Sequence, residues 1–376
     1  MKPKLGYINS QLKNIRKNNL YRKMHNSKIT GPYIIINSKS LINLCSNDYL
    51  GITQPRISNK QNQSSSRLIA GNDNSFNILE KKLAKHKSHE RSLIYPTGYM
   101  ANLGVISSLV EKNDLVLSDK LNHASLIEAC KLCKAKLSIF KHNDMNDLAN
   151  KIKTKSKRKF IITEGIFSMD GDFSNLKIIS EISKKNNAIT ILDDAHGDFV
   201  VGDDGKGTAD YFNVSKKIDV YISSLSKGLG SFGGYVSSKE NIIELCINKS
   251  KPFIYTSALP VLLIDDATRR FESDREKNRK KLWKNVKKFS SGLKKIGFNV
   301  KSNSHIFPII IGKEKTAMEF GKYLLKNGIF AQPIRYPTVS HNNARIRISI
   351  TARLTDIHIS KSLSVLESAK RKFSLM

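Results

Sequence analysis

The strongest constraint on this chain is an alternation. Between residues 77 and 224, short β-branched apolar runs take turns with stretches of helical period. LVLS at 115–118, KFIITE at 159–164, AITILDD at 188–194 and VYISS at 220–224 read as buried strands. NILEKKLAKHK at 77–87, ANLGVISSLV at 101–110, SLIEACKLCK at 125–134 and LKIISEISKKN at 176–186 read as helices. Strands that are apolar on both faces and separated by helices predict an α/β fold, with a mainly parallel sheet sandwiched by helices.

That domain is expected over residues 46–260. Ahead of it, residues 1–45 read as an N-terminal arm or helix, with eight Lys and Arg in the first 30 positions, then a hairpin formed by PYIII and LINLCS. The polar, patternless segment 52–66 reads as loop. After Pro260, the amphipathic stretch 262–296 predicts one long helix leading into a smaller α+β domain over 261–376. Strands near 306–311 and 345–350 and a helix at 315–327 belong to it.

At 376 residues and 39% apolar content the chain can build ordinary cores without staples. Its four cysteines, Cys45, Cys130, Cys133 and Cys246, are too scattered for a disulfide framework. The CxxC at 130–133 lacks a second ligand pair, so it reads as two small apolar residues on one helix and no metal is expected. The first residues, MKPKLGYINS, are basic but lead into no apolar stretch, and no run approaches the ~18 apolar residues of a membrane span. A cytoplasmic protein without a membrane partner is expected. The net charge of +32 raises the question of nucleic acid, yet the lysines are spread along the whole chain and accompany no binding motif. No nucleic-acid partner is expected, and the charge reads as a lysine-rich compositional habit.

In open α/β sheets, ligands gather at the carboxyl ends of strands. Four polar clusters stand at such places: TGYMAN at 97–102, TEGIFSMDGD at 163–172, DDAHG at 193–197 and SSLSKGLGSFGG at 223–234. Together they hold the parts that pyridoxal phosphate requires. Lys227, set among Gly228, Gly230, Gly233 and Gly234, can carry the cofactor as a Schiff base. Asp193 can keep the pyridine nitrogen protonated, and His196 can donate to the 3′ oxygen. Gly98 and Tyr99, at a helix start, can offer backbone N–H groups to the phosphate, helped by the hydroxyl of Ser224. Each signal is weak alone, and their joint occurrence in this order gives them weight. Gly228, Gly230 and Gly233 also spell GxGxxG, the dinucleotide fingerprint, but GYVSSKE behind them reads as a strand where that motif needs a helix.

From about Leu20 to Leu366 the chain resembles the α-oxoamine synthases, fold-type I pyridoxal-phosphate enzymes. The likeness rests on SNDYLG, NHASL, TEGIFSMDGD, DDAHG, SLSKGLGSFGG, IYTSALP and IRYPTV…ARIRISITA, in the family's order and approximate spacing. IYTSALP and IRYPTV look more like the members that join L-alanine to pimeloyl-CoA in biotin synthesis than like those using glycine and acetyl-CoA. The resemblance implies catalytic roles for Lys227, Asp193, His196 and His123, the last stacking on the ring and touching the substrate. It implies cofactor contacts from Gly98, Tyr99, Ser168 and Ser224, and from Thr256 and Ser257 toward the neighbouring subunit's phosphate, hence a homodimer with shared active sites. Arg347 would bind the amino-acid carboxylate, with Arg22, Asn47 and Thr338 along the substrate. CoA, a polyphosphate, would be drawn to a basic surface.

Two stretches depart from the family pattern. QSSSR at 63–67 replaces a glycine-rich GSGGSR after a shortened helix, and TARL at 351–354 replaces TAAH. Neither touches the lysine, the aspartate or the two histidines. A sister synthase taking glycine, serine or a different acyl chain, and a basic nucleic-acid-binding protein, are the competing readings.

Overall fold

The computed structural model describes residues 6–22, 26–52 and 65–374. Most of the expected loop at 52–66 lies outside them, as do 63–64 of QSSSR. The chain divides into two compact units: residues 1–46, 169–171 and 280–376 in one, residues 47–168 and 172–279 in the other.

The second unit is built on a seven-stranded sheet. Its strands are β1 (Arg91–Tyr95), β2 (Leu115–Asp119), β3 (Lys136–Phe140), β4 (Lys159–Glu164), β5 (Ile189–Asp193), β6 (Val220–Ser224) and β7 (Gly234–Ser238), in spatial order β1-β7-β6-β5-β4-β2-β3. Pairings from β6 through β5, β4 and β2 to β3 are parallel, whereas β7 runs antiparallel to both β1 and β6. β2, β6 and β7 are buried throughout. Their apolar runs show no alternation because helices cover both faces. Val105, Ile106, Phe160, Ile162, Ile191, Ile222 and Val236 fill one core layer, and Leu117, Phe140, Ile161 and Ile179 fill another. This is the fold-type I architecture.

The expected helices stand at Asn74–Lys87, Gly98–Leu109, Ala124–Leu132 and Leu176–Lys185. One expectation fails: 262–296 is not a single helix but two, Val261–Glu272 and Arg275–Lys295. Ser273 turns extended (φ −71°, ψ 160°) and its hydroxyl donates to the Arg270 carbonyl at 2.7 Å. Short polar side chains compete in this way for backbone groups, and the heptad-like pattern on either side conceals the break.

In the first unit, strands Ile306–Gly312, Ala344–Ser349 and Pro333–Ile334 form an antiparallel sheet, the central one being Ala344–Ser349. The expected hairpin pairs Tyr33–Ile36 with Lys39–Asn43, and Ile329–Phe330 joins the latter in parallel. Helices Glu314–Lys326 and Asp356–Lys372 complete the unit.

Candidate active site

The site of the second unit forms where β4, β5 and β6 end. Lys227 follows β6 in a loop closed by hydrogen bonds from Gly230 N to Lys227 O (3.0 Å), Ser231 N to Leu225 O (2.9 Å) and Leu225 N to Gly233 O (3.0 Å). Gly230 (φ +70°) and Gly233 (φ +118°) adopt backbone that L side chains resist. The loop delivers directly into β7, which is why the GxGxxG spelling here serves no helix.

The Nζ of Lys227 lies 2.9 Å from His196 Nε2, and His196 Nδ1 lies 2.7 Å from the hydroxyl of Tyr49. That hydroxyl donates in turn to Asn47 Oδ1 at 3.1 Å. Asp193, the last residue of β5, accepts from Asn102 Nδ2 at 2.6 Å through Oδ2 and from Ala195 N at 3.0 Å through Oδ1. Asn102 also donates to Ser125 Oγ at 2.9 Å, tying the helix 98–109 to the helix that His123 caps. His123 accepts from Ser125 N through Nδ1.

Behind this layer Asp194 is held by three donors: Thr208 N (2.7 Å), Thr208 Oγ1 (2.8 Å) and Tyr221 OH (2.8 Å). A Cβ at Gly165 or Gly197 would come within 2.2 Å of Asp194 Oδ1, so the glycine of DDAHG is required by the aspartate beside it. Burial raises the Asp194 carboxyl to about 7 despite nearby Lys87. Asp198 joins the same buried network, accepting from Lys87 and from Tyr235 OH.

Glu164 ends β4 in register with Asp193 on β5. Burial, then the charge of Asp193, raises its pKa to about 8, with Lys227 opposing. Its Oε2 accepts from Ser168 N at 3.2 Å, while Oε1 has no hydrogen-bond partner among the described residues. Desolvation holds the His123 imidazole below its ordinary value, against the pull of Asp193.

At the start of the helix 98–109, Thr97 caps Met100 N with its side chain. A Cβ on Gly98 would sit 3.1 Å from Ser224 Cβ, and one on Gly234 would sit 2.5 Å from the Gly98 nitrogen. The helix N-terminus is thus pressed against the ends of β6 and β7, with Ser224 alongside. An amine, a strand-end carboxylate, imidazoles and a helix N-terminus beside a serine are the donor set that pyridoxal phosphate needs, and Glu164 Oε1 and Asn102 Oδ1 are buried there without a hydrogen-bond partner among the described residues.

Lys227, Asp193, His196, His123, Gly98, Tyr99, Ser168, Ser224 and Asn47 all belong to this unit. The Tyr99 hydroxyl donates to Glu128. Thr256 and Ser257 border a small gap beside Arg67 and Phe76. Arg67, the last residue of QSSSR, is clamped to Glu80 and Asn72. In the other unit, Arg347 is buried on the central strand, its Nη1 donating to Ser349 Oγ at 2.9 Å, while Arg22 and Thr338 line one cavity. Asn102, Tyr49 and Glu164 lie within motifs read from the sequence but received no role there. The helical spacing of Asn102 from Gly98 was the one available signal.

A model of the aminotransferase class I and II family matches residues 39–366. The chain belongs to that family. It is 39% identical over 389 residues to 8-amino-7-oxononanoate synthase of Thermoanaerobacter pseudethanolicus, covering 99% of this chain and 98% of the relative. It is 38% identical to the synthase of the same name from Thermosipho melanesiensis, covering 92% of each. Among solved structures, serine palmitoyltransferase from S. paucimobilis with a bound PLP–myriocin aldimine superposes with a TM-score of 0.92 at 25% identity, covering 99% of both chains. The family member described here is a fold-type I, pyridoxal-phosphate-dependent enzyme of the acyltransferase type.

Proposed function

We propose that this chain condenses L-alanine with pimeloyl-CoA to give 8-amino-7-oxononanoate, CoA and CO₂, a step of biotin biosynthesis in the cytoplasm. The observation that carries the proposal is near-full-length identity to relatives bearing that product's name, joined to the Lys227–His196 and Asp193–Asn102 geometry. Pyridoxal phosphate, when bound, supplies the electron sink for the carbon that loses its proton.

The protein's own groups do the rest. Asp193, fixed by Asn102 and Ala195, retains the proton on the pyridine nitrogen. The amine of Lys227, once free, removes the α-proton of the amino acid, and His196 orients that amine and donates to the 3′ oxygen. His123 would stack on the ring, Ser168 would brace it, and Ser224 with the N–H groups of Gly98 and Tyr99 would hold the phosphate. Arg347 takes the amino-acid carboxylate, while Arg22, Asn47 and Thr338 line the substrate. The α-carbon would then bond to the thioester carbonyl carbon as the C–S bond breaks and CoA thiolate leaves; loss of the carboxylate as CO₂ leaves an electron pair at that carbon, which takes a proton back from the Lys227 ammonium. Thr256 and Ser257 reach the phosphate in the partner subunit of a homodimer.

A panel of amino acids against acyl-CoAs, read by CoA release, tests this. L-alanine with pimeloyl-CoA should give the highest kcat/KM. Preference for serine or glycine, or for another acyl chain, would make the chain a different oxoamine synthase.

A further inference from the structure

A cavity of about 710 Å³ lies within the first unit, between the helix Glu314–Lys326 and residues 330–338. Its walls are mostly apolar: Met318 and Leu325 come from the helix, Phe330, Pro333 and Ile334 from the facing segment, with Lys322 and Gln332 among them. Two guanidinium groups, those of Arg22 and Arg335, share this lining.

Arg335 is only 5% exposed. Of its five N–H donors, the described residues take one, from Nη1 to the carbonyl of Asn19. Arg22 Nη2 donates to the Tyr336 carbonyl at 3.4 Å. Burial, and then the like charge of Arg22, disfavour the ionised form of Arg335, with Glu314 opposing. Glu314 is already engaged, accepting from Asn342 N at 3.3 Å and lying 3.4 Å from His341 Nδ1. A buried cation beside a second cation in an apolar groove is costly until an anion joins it. A guanidinium favours a carboxylate that it can grip through two parallel hydrogen bonds.

We propose that this groove receives the distal end of an ω-carboxyacyl chain, and that Arg335 reads the terminal carboxylate; the inference rests on the function proposed above. The apolar walls accept the methylene chain and Arg335 accepts its end. Of the three cations in the lining, Arg22 and Lys322 are exposed and can serve a CoA phosphate, whereas Arg335 is the enclosed one.

The test compares pimeloyl-CoA with heptanoyl-CoA, in which a methyl replaces the distal carboxyl, on holoenzyme of wild type, Arg335→Met and Arg335→Lys. The wild type should prefer pimeloyl-CoA, and Arg335→Met should lower that preference about 10–100-fold, the scale of a lost charge-assisted hydrogen bond. Arg335→Lys should retain part of it. Equal losses with both donors would assign the guanidinium to CoA and overturn the proposal, as would a raised KM for L-alanine with either donor. Calorimetric binding of free pimelate and heptanoate needs no turnover. Pimelate should bind wild type more tightly than heptanoate, and the difference should vanish in Arg335→Met; no difference in wild type would overturn the proposal. If wild type releases no CoA from either donor, the proposed function fails while the pimelate titration still decides the groove.

Discussion

The Nζ of Lys227 stands 2.9 Å from His196 Nε2. The roles proposed for Lys227, to carry the cofactor and then act as a base, need a neighbour that fixes its amine, and His196 is itself fixed by Tyr49. Tyr49→Phe removes that hold while preserving the ring. We expect a loss of about 1 kcal/mol in stability and a roughly tenfold fall in kcat, measured by denaturation and CoA release.

Asn102 is the second fixed point. Its amide donates to Asp193 Oδ2, and Asn102→Ala strips the carboxylate of its donor from the helix 98–109. Hydrogen bonds to charged groups are worth about 1.5–3 kcal/mol. Pyridoxal phosphate should therefore bind about 10–100-fold more weakly, as followed by absorbance titration. Unchanged affinity would mean that Ala195 alone suffices to hold Asp193.

Gly234→Ala probes the helix N-terminus. The added Cβ would lie 2.5 Å from both Gly98 N and Gly98 Cα, backbone atoms that cannot step aside as a side chain can. Overpacking of this kind costs about 1–3 kcal/mol. The variant should melt at lower temperature and lose cofactor affinity together, because the strained contact is the wall of the proposed phosphate cradle.

His142 sets a pH dependence of stability. Burial alone would lower its pKa, but hydrogen bonds to Asp119 and Asp172, each 2.9 Å, outweigh it and push the value up to about 10. A histidine with a folded pKa above its unfolded value near 6.5 stabilises fully below pH 6.5. That contribution is lost as pH rises through about 10. The stability difference between wild type and His142→Gln should be at full size near pH 6.5 and shrink steadily as pH rises toward about 10.

The sheet was legible because its strands are buried on both faces and so read as unbroken apolar runs. β3 was missed for the opposite reason: this edge strand is mostly open to solvent, and KLSIF carries polar residues on it. β1 was missed because RSLIY abuts the helix start at Gly98. Lys227, Asp193 and His196 stood out by their place at strand ends, whereas His123 came only from the family resemblance. Asn102 and Tyr49 did not, since a helix-borne Asn and a loop Tyr take their meaning only when the sheet brings residues 102 and 193, or 49 and 196, into contact. The groove around Arg335 was equally invisible, being assembled from a helix and a segment with no motif that joins them.

The central claim is that Lys227 carries the cofactor, and borohydride trapping tests it most directly. The purified protein is loaded with pyridoxal phosphate, reduced, digested and mapped by mass spectrometry. A single phosphopyridoxyl adduct on Lys227, absent from Lys227→Ala together with the visible absorbance of the loaded protein, is the predicted result. An adduct on another lysine, or absorbance that survives in Lys227→Ala, would contradict the account.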